Sequence, residues 1–167
     1  DAPGALALVS GDDVVAFDAE GREQWRQTLT FKAWALAWSP AAQRLAAGSL
    51  GGDLRLLEPG GGVVEQALCP GRVHGLAFSS DGKRLAAAVG DDSVILFDES
   101  LRALWQRPIV AACRALRFFP DDATLAAVGS REIVLASIQG ESLSRTPLER
   151  RALAAWPSAD PSRLAVS

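Results

Sequence analysis

The sequence has 167 residues, 49% of them apolar and 22% charged, enough for one ordinary globular domain with a real core. Its net charge of -3, from 17 Lys+Arg against 20 Asp+Glu, supplies no basic field for a phosphate backbone, so nucleic acid is not expected as a partner. The unbroken apolar runs are a handful of residues, short of the roughly 20 a helix needs to cross a bilayer, and neither a membrane span nor a membrane partner is expected.

The chain opens at Asp1 with "DAPG" and contains no Met, which reads as a processed end or the edge of an excised fragment; no signal-peptide apolar region follows, and the compartment stays open. The first stretch, "ALALVSGDDVVAFDAEGREQW", aligns its Leu6 with Leu45 and its Phe17 with Leu57 and Phe97 further on. It reads as one unit of a repeat lacking its first strand, a partial blade over 1–30.

Three fuller copies follow. Residues 31–70 contain "WALAWSPAAQRLAAGSLGGDLRLLE", 71–110 contain "VHGLAFSSDGKRLAAAVGDDSVILFD", and 111–150 contain "RALRFFPDDATLAAVGSREIVLAS"; a partial copy over 151–167, "RALAAWPSADPSRLAVS", closes the chain. The aromatic anchors Trp38, Phe78 and Phe118 recur at a step of about 40 with Trp156 next, and Leu45, Leu85, Leu125 and Leu164 keep the same step.

Within each unit, apolar or alternating runs of four to seven residues are broken by turn formers, the pattern of short strands and not of helices. In the third unit the first strand covers Gly75 to Phe78 and the second Arg84 to Ala88, joined through "SSDG", where Gly82 accepts a positive φ. Gly48, Gly90 and Gly129 are expected to punctuate the turn from second to third strand. The third strand is "VILF" and the fourth "ALWQR", the counterpart of "EQWRQ" around Trp25. "PGGGV" at 59–63 has phosphate-loop glycines but no Lys-Ser/Thr and no following helix, and reads as a hairpin turn.

Four antiparallel strands per unit cannot bury both sheet faces alone, so the units must stack, and radial stacking gives a propeller. The predicted fold is all-β: a β-propeller of about four four-stranded antiparallel blades, either closed on itself, paired with a second copy, or part of a larger ring. Small alanines in "LAW", "LAF", "RLAAG" and "RLAAA" would let neighbouring sheets approach closely.

These residues carry a resemblance. "LAFSSDGKRLAAAVGDDSVILFD" resembles a WD40 repeat, with its Ser-x-Asp-Gly hairpin and an aromatic-Asp ending, Phe97-Asp98, in place of Trp-Asp. No Gly-His pair precedes any first strand, and the corresponding endings are Phe17-Asp18 and Leu57-Glu58. "AFDAEGREQW" and "LFDESLRALW" are also similar to quinoprotein-like propeller repeats, in which the tryptophan packs between blades. The resemblance implies a scaffold for protein or peptide partners.

One histidine and no tyrosine leave few groups for proton transfer, and His74 with Ser79 and Ser80 lacks any nucleophile-elbow context, so no catalytic residue is assigned. Cys69 and Cys113 have no Cys or His at metal-ligand spacing and are expected as buried free thiols, with a disulfide between them as the alternative. The acidic pairs Asp12-Asp13, Asp91-Asp92 and Asp121-Asp122 lack alternating oxygen-ligand spacing and are expected to cap turns. No metal and no cofactor follow from these residues.

Trp34, His74 and Arg114 occupy one register, at the entry to successive first strands, with Arg72, Arg150 and Arg151 in the preceding loops. Unrepeated, chemically varied side chains on a repeated scaffold are what a binding rim requires, and Trp and Arg are favoured interface anchors. The competing reading makes Trp34 core, continuing the parity of Leu36 and Trp38. Three classes of function stay open: a non-enzymatic interaction scaffold, a ligand-binding or catalytic propeller whose active groups lie outside this segment, and an architectural piece that associates with itself or with further blades.

Overall fold

The computed structural model describes residues 6–10, 12–18, 20–39, 41–113, 115–149, 155–157 and 164–166. Every regular element among them is a strand. A three-stranded sheet joins β1 (Leu6–Ser10), β2 (Asp13–Phe17) and β3 (Glu23–Thr28). Three four-stranded sheets follow: β4 (Ala33–Ser39), β5 (Arg44–Ser49), β6 (Asp53–Leu57) and β7 (Val63–Leu68); then β8 (Val73–Phe78), β9 (Arg84–Val89), β10 (Ser93–Asp98) and β11 (Ala103–Pro108); then β12 (Ala115–Phe118), β13 (Thr124–Val128), β14 (Glu132–Ser137) and β15 (Ser142–Pro147). The pair β16 (Ala155–Pro157) and β17 (Leu164–Val166) completes the order. Each sheet is an antiparallel meander, one blade of the predicted kind.

Blades stack along the chain. The first strand β4 packs against β8, β8 against β12, and β12 against β16, so first strands lie side by side at one end of every sheet. Apolar side chains of successive blades interleave: Leu45, Ala47 and Leu57 with Val14 and Leu29; Leu54 and Leu56 with Leu85 and Ile95; Leu96 and Val94 with Leu116 and Leu125. Burying each such leucine stabilises by about 1.5–3 kcal/mol. The alanines at 46–47, 86–87 and 126–127, on β5, β9 and β13, are fully buried. Their lack of bulk lets the second strand of each blade sit in the middle of the stack, the use anticipated for them.

The expected turn at Gly48 is a correction. Gly48 lies inside β5, paired with Leu54, because a Cβ there would come 2.5 Å from Cγ1 of Val73 in the next blade. Glycine is kept for close approach, and the turn comes later, at Leu50 to Gly52. Gly82 does provide the expected positive φ, 71°, and a Cβ on it would also strike Ser39 Oγ and Ala42 of the preceding blade. The triple glycine forms the β6–β7 hairpin turn, as expected.

The acidic pairs divide. Asp121 accepts from the backbone N–H groups of Ala123 and Thr124, a local cap. Asp122 reaches into the preceding blade and accepts from the N–H of Ser80 at 2.7 Å and of Asp81 at 3.2 Å. Asp13 is a strand residue that takes the Thr28 hydroxyl and the Arg26 guanidinium across the β2–β3 pair.

Candidate functional site

The first strands β4 and β8 each carry one extra residue near their start. Ala33 faces Ser49 and Ala35 faces Gly48, which leaves Trp34 unopposed; Val73 faces Val89 and Gly75 faces Ala88, which leaves His74 unopposed. Both are bulges at the same position of successive blades, and a bulge re-aims the side chain it carries. The strand's alternation therefore breaks at Trp34, whose side chain does not continue the parity of Leu36 and Trp38.

The result is an indole in water. Trp34 is 63% exposed, whereas Trp25, Trp38 and Trp105 are half-buried against the blade cores. The reading of Trp34 as core fails here, and the reason is the extra residue. His74 is half-buried and lines a cleft of about 260 Å³ together with Arg72, Gly90, Asp91, Ala112 and Cys113. Its floor is tied down by backbone: Gly90 N–H donates to the Arg72 carbonyl at 2.8 Å, and Ala112 N–H donates to the Asp91 carbonyl. Val73, fully buried against Gly48, fixes the strand from the other side.

Of the rim residues anticipated from sequence, the structure places Trp34, His74 and Arg72 at the same end of the blades, with Arg72 and His74 sharing the cleft. Arg114, Arg150 and Arg151 lie outside the described residues. Two contributors were missed. Asp91, from the β9–β10 turn, brings a carboxylate to the cleft, and Lys32 is exposed two residues before Trp34, as Arg72 is two before His74. The signal for Lys32 was the same 40-residue register.

Chemically, the cleft offers a guanidinium, an imidazole and a carboxylate around a small opening, a set suited to hydrogen bonds and ion pairs. The Cys113 thiol beneath it is no ready nucleophile, because burial pushes it up to about 12. Cys69, also free and buried, is pushed to about 11 for the same reason. Ser79 stands at the opposite end of β8 from His74, roughly 16 Å away at the rise of a strand, and its hydroxyl is engaged with Asp81 at 2.7 Å. Among the described residues, no group of three His, Cys, Asp or Glu side chains is placed to hold a metal.

A family model for the WD domain, G-beta repeat, matches residues 66–98, from β7 of one blade through β10 of the next. No curated protein matches the chain. The match covers one repeat and supports WD40-like repeats, and the meanders of antiparallel strands form a propeller-like all-β arrangement. Repeats of this kind are generally non-catalytic and support scaffolds for protein interaction.

Proposed function

We infer that this chain of WD40-like repeats is a non-enzymatic scaffold that receives a protein or peptide partner on the rim bearing Trp34, His74 and Arg72. The observation that carries the reading is Trp34: a large aromatic side chain held out in water on a strand whose backbone is fixed by its neighbours. A tryptophan has only two side-chain torsions to fix on contact, so its burial costs little conformational entropy, and tryptophan is enriched among interface hot spots. One blade further on, the Arg72–His74–Asp91 cleft adds polar groups that discriminate partners by charge.

The test is to select binders from a random peptide library against the whole chain and compare their affinities for Trp34→Ala and His74→Ala. Trp34→Ala is expected to weaken the selected peptides at least about tenfold, or about 1.4 kcal/mol, without shifting the melting temperature. Peptides that bind a Trp34→Ala/His74→Ala double variant as tightly as the native chain would defeat the assignment.

A further inference from the structure

The third strands keep an apolar residue at one register. Val15, Ile95 and Val134, opposite Arg26, Gln106 and Arg145 on the fourth strands, are all buried. β6 breaks the series: the residue opposite Gln66 is Arg55. Asp53 stands two residues earlier on the same face, and its partner across the pair is Leu68. Leu68 is 77% exposed, the most exposed large apolar side chain among the described residues. The other fourth strands have Thr28, Pro108 and Pro147 at this place.

These departures from the repeat meet in one cleft of about 360 Å³, lined by Asp53, Arg55, Gln66 and Leu68. The guanidinium of Arg55 is positioned in advance. Its Nη2 donates to the Thr30 hydroxyl at 2.8 Å, and its carbon lies 5.1 Å from the centre of the Phe31 ring, where the next units have Gly71 and Ala111. Nε and Nη1 have no hydrogen-bond partner among the described residues, and Arg55 forms no ion pair there. Asp53 is engaged elsewhere, since its Oδ2 accepts the Ser49 hydroxyl at 2.9 Å. Arg55 shares its face of β6 with Leu57, which packs on Val14 and Leu29, so the cleft opens at a junction described on both sides.

We propose that this cleft is a second docking site, separate from the Trp34 rim, for an extended segment of a partner protein that carries an acidic side chain with an aliphatic one two residues from it. The carboxylate takes the open edge of the Arg55 guanidinium in a two-pronged pair, and the aliphatic side chain covers Leu68. The spacing matches: Arg55 and Leu68 are diagonal neighbours across the β6–β7 pair, about 7–8 Å apart. In an extended segment, residues two apart point to one side at about 6.8 Å.

The experiment is an NMR titration of the whole chain with acetyl-Thr-Leu-Thr-Glu-Thr-Leu-Thr-amide, which offers a leucine on either side of the acid, and with its Glu→Gln analogue. The Arg55 Nε–H and Leu68 methyl resonances are expected to move saturably with the first, at a Kd on the order of 1 mM or tighter. The analogue should bind at least about tenfold more weakly, because a charge-assisted pair becomes a neutral one. Arg55→Ile installs the residue type of Ile95 and should abolish the Leu68 response without lowering the melting temperature. Arg55→Lys keeps the charge without the fork and should weaken binding several-fold. Trp34→Ala should leave the titration unchanged. A Leu68 shift that is indifferent to the glutamate, preserved in Arg55→Ile or absent altogether would overturn the proposal. So would a response lost in Trp34→Ala, which would put the peptide on the rim, or one that follows protein concentration alone, which would make a second copy the occupant.

Discussion

Trp25 on β3 and Gly61 in the β6–β7 turn of the next blade are matched in shape: the indole occupies the space a side chain at residue 61 would need. The same match joins Trp105 to Gly140, while Glu65 holds the tryptophan's register on β7 and the buried Leu101 holds the glycine's place in the next blade's turn. Junctions between these blades are set by bulk shared between a strand and a turn, and that sharing can be perturbed from either side.

Glu65→Trp alone overfills the junction above Leu101 and should cost about 1–3 kcal/mol, the usual range for an overpacked site. Leu101→Gly alone opens a cavity and should cost about 2 kcal/mol or more. The double variant recreates the tryptophan-glycine pair. Urea unfolding should show it more stable than the sum of the singles predicts by at least about 1 kcal/mol; strict additivity would mean the two residues do not share the space.

Asp122→Ala removes the acceptor that ties the Ser80–Asp81 turn to the following blade. Two backbone N–H groups and a hydroxyl turn to water, and a loss of about 1 kcal/mol in denaturant unfolding is expected. Asp122→Asn should lose less, since the amide oxygen still accepts and asparagine suits the φ of 50°.

Asp81 is held below the usual carboxylate value of 3.8, first by the Ser79 hydroxyl and then by the N–H of Lys83. A carboxylate depressed by folding contributes stability that is present above its unfolded value and lost as pH falls through the folded one. Asp81→Asn should therefore flatten the decline of the melting temperature below about pH 4, relative to the native chain. An unchanged acid limb in the variant would show that Asp81 is not coupled to folding.

Both thiols are buried and shifted away from the reactive thiolate. At pH 8 the native chain should react with an aromatic disulfide reagent only at the rate of its opening, and immediately in denaturant. A fast phase of one equivalent in the native state would mean that one of the two sites opens locally.

Much of this architecture follows from the one-dimensional pattern. The 40-residue step of Leu45, Leu85 and Leu125 appears as one buried leucine in the second strand of each blade, and the expected strands of the third unit coincide with β8 to β11 within about two residues. These features are local: alternation, turn chemistry and period are written in neighbouring residues. What residues do across a junction is not. Trp34 points to water because one extra residue in β4 shifts its side chain, and alternation alone made it core. Gly48 stays in a strand because Val73 of another blade needs its space, and Asp122 caps a turn that belongs to its neighbour. The roles of Gly48 and Asp122 are decided by atoms about 25 to 42 residues away in sequence, brought within contact only when the blades stack.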